Sequence, residues 1–378
     1  MYVPTWQGLN PALFFRSGST AHLPFPLNAP HKVFFYRARN AIYHLFRSLR
    51  FAPGETVLVP AYHHGNEVRA IRAAGVSIRF YPVTRSLEPD LDALRKLCRS
   101  DSRALFVIHY LGWPQPLREL TALCRERGLV LIEDCALALF SETAGRPLGS
   151  FGDYAIYCLY KTLPLPHGGL LVQNTRVLDE LARLELDPCS FASVAGRNAE
   201  LTLEWLRSRV NGVGETLAEL KRTVGRTLSA VGVQRLPVGD TGFDLSSVNT
   251  GISPWSSRLL HRLDYDAIPR KRREHFLFLH RKLAGRATLL EKDLTEGVCP
   301  LFFPLLVPDK RAAAEALWRR GIGAVEFWNQ GDPAASREAF PQVQFLRDHL
   351  LELPLHQELT LAHLDYMARQ VLDLKLHF

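Results

Sequence analysis

From residue 33 to about residue 173, short continuous apolar runs alternate with segments of helical period, and this alternation constrains the fold more than any other feature. The runs Thr56–Pro60, Val76–Pro82, Ala104–Tyr110, Leu129–Asp134, Tyr154–Leu159 and Gly169–Val172 read as strands, with a further strand-like run at Val33–Tyr36. Between them the pattern predicts helices at Arg37–Leu49, Gly65–Ala74, Leu91–Cys98 and Leu117–Arg127. Strands that are apolar throughout have no face to offer to water, so their sheet must be covered on both sides. Their alternation with helices implies an α/β fold around a parallel or mixed sheet. In such sheets ligands gather outside the carboxyl ends of the strands.

The rest of the chain reads differently. Residues 1–32 are rich in proline and turn formers and are expected to form an N-terminal arm. A large α/β domain is expected over 33–245 and a smaller C-terminal α/β domain over 246–378. A helical insertion at about 190–240 interrupts the large domain. Within it Leu206, Val210, Val213, Leu217, Leu220, Val224, Leu228 and Val231 form one apolar stripe at spacings of three and four. That stripe packs on its own domain or on a second subunit. The basic opposite face is diluted by Glu204, Glu215 and Glu219, so contact with a membrane surface is not expected. In the C-terminal part, Phe302–Val307 and Gly323–Phe327 read as strands around a helix at Lys310–Arg320. A last helix runs from about Leu361 to Leu374, with Thr360 placed to cap it.

The 378 residues are 47% hydrophobic and 22% charged, too apolar for disorder. The net charge of +8 favours anionic partners. The excess is spread along the chain rather than gathered in a block, which fits a solvated basic surface and gives no reason to expect nucleic acid. None of the cysteines forms a C-x-x-C pair. Several lie in apolar segments, which suits the reducing cytoplasm. The start MYVPTWQGLNPALFF lacks a basic region followed by an apolar run, so no signal peptide is expected. No apolar run reaches the roughly 18 to 20 residues of a membrane span.

Four short stretches carry candidate chemistry. In LVLIEDCALALF, Asp134 ends an apolar strand. It is either a turn former or a buried carboxylate that keeps a heterocyclic ring nitrogen protonated. In GDYAIYCLYKTLPLPHGGLLV, Lys161 follows an apolar strand and precedes the Gly168–Gly169 pair. It is either a lysine reaching solvent or an amine that forms an imine with an aldehyde cofactor, which removes the cost of burying an ammonium. In YRARNAIYHLFRSL a helix begins with Arg37, Arg39 and Asn40. This is either a basic surface helix start or a phosphate site built on free helix amides. In VPAYHHGNEV, His63 and His64 lie where a flat side chain could cover a cofactor ring, or are simply loop histidines. Adjacent residues point in different directions and no acidic cluster joins them, so no metal is expected.

The order of these pieces resembles the DegT/DnrJ/EryC1/StrS family of sugar aminotransferases. The stretches that carry the resemblance are APGETVLVPAYHHGNEVRAIRAAGVSIRFYPV, ALFVIHYLGWPQPLRELTALCRERGLVLIEDCALA, PLGSFGDYAIYCLYKTLPLPHGGLLV and LELPLHQELTLAHLDYMARQVLDL. The resemblance implies an aspartate-aminotransferase-like fold of type I and pyridoxal 5′-phosphate as cofactor. It implies Lys161 as the Schiff-base lysine, Asp134 as the pyridinium partner and His64 as the residue over the ring. Ala38 and Arg39 stand where a Gly-Thr pair usually meets the phosphate, and Cys158 stands close to a phosphate-binding serine. Leu137 replaces a glutamine at the cofactor rim, His167 replaces an acid before the twin glycines, and Asn249-Thr250-Gly251 lacks the arginine of an interface motif. The stretch Cys158-Leu159-Tyr160-Lys161 is shorter than its counterparts in the family.

By resemblance, the chain is expected to be a cytoplasmic homodimer in polysaccharide biosynthesis. It would move an amino group from glutamate to a keto substrate, commonly a nucleotide-linked keto sugar. Two alternatives stay open: different chemistry on the same cofactor, or a catalytically degenerate relative that binds a ligand or acts as a scaffold.

Overall fold

The computed structural model describes residues 1–15, 22–209, 242–376 and 378. Seven strands form the central sheet: β1 (Lys32–Phe35), β2 (Thr56–Pro60), β3 (Ser77–Tyr81), β4 (Ser102–Ile108), β5 (Val130–Asp134), β6 (Tyr154–Cys158) and β7 (Gly169–Gln173). Their spatial order is β1-β7-β6-β5-β4-β2-β3. Only β7 runs against its neighbours, pairing antiparallel with β1 and β6, while β6, β5, β4, β2 and β3 pair in parallel. Every residue of β2, β6 and β7 is buried, as their unbroken apolar character requires.

The connections include α1 (Ala38–Leu49), α2 (Asn66–Ala73), α3 (Leu91–Leu97) and α4 (Leu117–Arg127). All four match the pattern-based expectation to within a residue or so at each end. Their stops have local causes. Gly128 closes α4 at φ +64, a conformation that costs glycine nothing, and its amide bonds the Cys124 carbonyl. Asp90 starts α3 by accepting the Ala93 amide. Two apolar clusters lie around the sheet. One is built on Val57, Val59, Leu105 and Phe106, the other on Tyr157, Leu159, Leu170 and Val172. Each fully buried aliphatic side chain contributes about 1.5–3 kcal/mol relative to exposure.

The C-terminal part of the chain follows. It contains α6 (Ala267–Leu283), which comes after α5 (Phe191–Arg209), then β8 (Phe302–Leu306), α7 (Lys310–Arg319), α8 (Pro341–His349), β9 (Leu350–Pro354) and α9 (Leu361–Asp373). The helix start at Thr360 is a reciprocal capping box with His363. The second strand differs from expectation. Gly323–Phe327 is not a strand; it touches the small sheet through a single bridge, Val325 to Glu352, and the chain turns at Trp328 with φ 57. The antiparallel partner of β8 is β9, which follows α8 directly. The apolar run of β9 continues the helix's own pattern, so periodicity alone does not mark the change.

The N-terminal segment does not stand off the body. Val3 bridges to Ile322, and Leu9 donates to the Leu201 carbonyl of α5. Gly8 packs flush against Trp205, where a Cβ would lie 2.5 Å from its amide nitrogen. Ala12–Phe15 forms a short helical turn. The predicted long helix at 199–231 is seen as α5 up to Arg209; the stripe from Val210 to Val231 lies outside the described residues. Among the described residues no helix is long and apolar enough to cross a membrane.

Candidate active site

The carboxyl ends of β4, β5 and β6, the loop after β2 and the start of α1 converge on one cleft of about 1060 Å3 including its open mouth. Asp134, the last residue of β5, and Lys161 both line it. β6 delivers Lys161 through a single helical turn, Leu159–Thr162, fixed where the Leu159 amide bonds the Gly168 carbonyl. The short Cys158–Lys161 stretch is therefore long enough to bring the amine to the cleft. Lys161 Nζ lies 5.9 Å from the centre of the Phe327 ring.

Asp134 accepts the Ala136 amide at 2.9 Å. Burial, and after it the neighbouring charge of Glu67, push its carboxyl up to about 7; the Ala136 amide and Lys161 act in the opposite direction. His64 also lines the cleft, and its Nδ1 is buried with no hydrogen-bond partner among the described residues. Burial, Lys161 and Arg39 push its imidazole down to about 3, so it is neutral. Cys158 and Leu137 lie buried in the same wall.

The start of α1 forms the other wall. Its N-cap is Arg37, which makes no side-chain cap, and Arg37, Ala38 and Arg39 all line the cleft. Arg39 also donates to the Gly242 carbonyl. The helix end sits hard against β7, because a Cβ at Gly169 would fall 2.3 Å from the Arg37 carbonyl carbon and 2.5 Å from the Ala38 nitrogen. Only glycine allows that approach.

Two candidates lie elsewhere. Asn40 points away from the cleft and donates to the Ser247 carbonyl at 2.8 Å. One residue further along a helix than Arg39, it turns onto another face. His63 is fully buried against Phe80, with ring centres 5.3 Å apart, and does not reach the cleft. His167 stacks on Tyr36 at 4.2 Å and bonds the Ser253 hydroxyl, joining β7 to the 250s segment.

Sequence reasoning missed Trp6, Glu67, Tyr160, Arg197, Leu201, Phe327 and Trp328 as cleft residues. Trp6 and Phe327 come from opposite ends of the chain, 6.4 Å apart between ring centres, and no local pattern links them. Glu67 does carry a signal, an acid in the first turn of α2, but it reads equally as a cap.

His109, Glu133 and Cys135 have atoms close enough to share a metal. Their geometry is already committed. Glu133 accepts His109 Nε2 at 2.9 Å and the amides of Gly149, Phe151 and Gly152. His109 Nδ1 accepts the Gln115 amide. Burial alone would raise Glu133, but these donors, His109 foremost, hold it below the ordinary range. The cluster pins the loop beneath β5 and β6.

An amine and a carboxylate at strand ends, with a neutral imidazole and a basic helix start lining the same cleft, define a cofactor-binding α/β fold of type I. The sequence model of the DegT/DnrJ/EryC1/StrS aminotransferase family matches residues 27–227, and the chain belongs to that family. It is 28% identical over 241 residues to the dTDP-4-dehydro-2,3,6-trideoxy-D-glucose 4-aminotransferase of Saccharopolyspora spinosa, covering 63% of this chain and 62% of that protein. It is 28% identical over 149 residues to the GDP-perosamine synthase of Vibrio cholerae, covering 38% and 41%. The matches thus span less than two thirds of either relative. The fold is that of the sugar aminotransferase CalS13 from Micromonospora echinospora (TM-score 0.67, 21% identity, 98% of this chain and 99% of that one). Spr1654 from Streptococcus pneumoniae in its PLP form superposes similarly (TM-score 0.72, 16% identity, 99% of each).

Proposed function

We propose that this protein is a pyridoxal-phosphate-dependent aminotransferase that moves an amino group from glutamate to a nucleotide-linked keto sugar. The observation that carries the reading is the meeting of Lys161, Asp134 and His64 in one buried cleft from three separate segments. The residues fit the cofactor. Lys161 would hold its aldehyde carbon, Asp134 its ring nitrogen and His64 the face of its ring. The Ala38 and Arg39 amides, with the Arg39 charge and Cys158 nearby, would take its phosphate, as helix starts do. The His64 Nδ1, which has no hydrogen-bond partner among the described residues, and a helix start whose N-cap residue makes no side-chain cap fit such a cradle.

When bound, the cofactor supplies an electron sink for the carbanion formed at the substrate's amino-bearing carbon. Lys161 Nζ is the base that takes the proton from that carbon and returns it after transfer. Asp134, ionised by a cationic ring nitrogen against it, keeps that nitrogen protonated. Trp6, Phe327 and Trp328 line the same cleft, Phe327 beside Lys161, and would limit water there. Relatives that act on dTDP- and GDP-linked sugars support the acceptor class, and the Arg37, Arg39 and Arg197 side chains at the cleft suit a diphosphate. We take the working form to be a cytoplasmic homodimer, which agrees with six free cysteines and the family resemblance.

The test is spectroscopic first. Added pyridoxal phosphate should give a visible imine band that Lys161→Ala abolishes; a band that survives the substitution removes Lys161 from its role. Label from 15N-glutamate should then appear in a nucleotide-linked amino sugar. A protein with the band but no transfer points to other chemistry on the same cofactor.

A further inference from the structure

Lys161 sits in a segment whose own sequence cannot complete its helix. In a continued α-helix the carbonyls of Tyr160 and Thr162 would accept the amides of residues 164 and 166, but Pro164 and Pro166 have no N–H. The turn ends at Thr162, and these two carbonyls, one on either side of Lys161, need donors from elsewhere. Two glutamines supply them. Gln7 of the N-terminal segment donates its side-chain amide to the Tyr160 carbonyl at 3.3 Å. Gln357, between β9 and α9, donates to the Thr162 carbonyl at 3.1 Å. Both also accept from one side chain, Arg272 of α6: Nε bonds Gln357 Oε1 at 3.0 Å and Nη2 bonds Gln7 Oε1 at 3.4 Å. The third nitrogen, Nη1, is anchored on the carbonyls of Pro300, Leu301 and Leu355. All three side chains are buried, so water does not compete for these bonds.

Resting on the role assigned to Lys161 above, we propose that Arg272 is a positioning residue for that lysine, acting through Gln7 and Gln357 to hold the single turn that presents its amine to the cleft. A guanidinium only donates hydrogen bonds. Each glutamine must therefore turn its oxygen toward Arg272, which leaves its NH2 for the carbonyl beside Lys161. One buried cation thus fixes the orientation of both amides, and through them the backbone on both sides of the lysine. The three side chains come from residues 7, 272 and 357, so the order of this turn depends on the two ends of the chain as well as on the central sheet. An amine that must meet a reacting atom works within narrow limits of distance and angle, and a backbone held on both sides keeps it there.

Gln7→Met and Gln357→Met each remove one donor at nearly constant volume. The Leu163 amide closes the turn on the Leu159 carbonyl. In cofactor-free protein its hydrogen exchange should speed up about tenfold relative to that of the Phe106 amide in β4, which reports opening of the whole sheet. Arg272→Met should do the same, although it leaves both glutamines in place. In each variant pyridoxal phosphate should bind about tenfold more weakly. Pyridoxine phosphate, which carries an alcohol in place of the aldehyde and cannot bond the amine, should keep its parental affinity. A merely structural role would weaken both ligands alike. Gln357→Glu serves if the methionine variants fail to fold: its carboxylate still accepts from Arg272 but has no N–H for Thr162, and it should show both effects. An unchanged exchange ratio in the glutamine variants or in Arg272→Met overturns the inference, and so does an equal loss for the two ligands. If pyridoxal phosphate does not bind the parent protein at all, the proposed function fails, while the exchange ratio still decides whether Arg272 and the glutamines hold the turn.

Discussion

Replacing Gly169 by alanine tests whether the α1 start is built by close approach to β7. The added Cβ would lie 2.3 Å from the Arg37 carbonyl carbon and 2.5 Å from both the Arg37 oxygen and the Ala38 nitrogen. All three are backbone atoms, so no flexible side chain can move aside. Relief requires β7 or the helix start to shift by about an ångström, and overpacking of this kind costs about 1–3 kcal/mol or more. Gly128→Ala is the control. A Cβ there meets nothing within 4 Å, and its penalty comes only from φ +64, about 1–2 kcal/mol. Urea unfolding of both variants gives the stability difference, and fluorescence titration with pyridoxal phosphate gives the affinity. Gly169→Ala should lose at least as much stability as Gly128→Ala and, unlike it, bind cofactor at least tenfold more weakly. A Gly169→Ala protein with parental affinity would show that the α1 start does not hold the phosphate.

Acid should destabilise the fold. His63, His64 and His167 are each pushed down to about 3 by burial, and His275 to about 4. A depressed histidine contributes stability above its unfolded value of about 6.5 that is lost as pH falls toward its folded value, about 1.4 kcal/mol per pH unit for each group. The urea midpoint of the cofactor-free protein should therefore drop steeply between about pH 6.5 and 4. Replacing His63 by phenylalanine should flatten that slope; an unaltered slope would deny its neutral burial. Asp134 works in the opposite sense, because its raised carboxyl contributes stability at low pH that is lost as pH rises through about 7. Added cofactor should restore that loss. Arg272 is fully buried with no carboxylate partner among the described residues, and donates to Gln357, Leu301, Leu355, Pro300 and Gln7. Arg272→Met leaves several of those acceptors unpaired and should cost about 3 kcal/mol or more in urea unfolding. Parental stability would mean those carbonyls find water.

The sequence alone determined what is local. Each strand of the central sheet and its helices were legible because an apolar run or a helical period is written into consecutive residues. Asp134 and Lys161 stood out because a charged group directly after such a run needs a reason to be there. The tertiary structure decided what depends on neighbours from afar. It placed Leu350–Pro354 rather than Gly323–Phe327 beside β8, since strand identity there is set by the partner and not by periodicity. It turned Asn40 and His63 out of the cleft and brought Trp6, Glu67 and Phe327 in. Local pattern fixes which face of an element is apolar, but which polar side chain ends at a shared cavity depends on how distant elements pack.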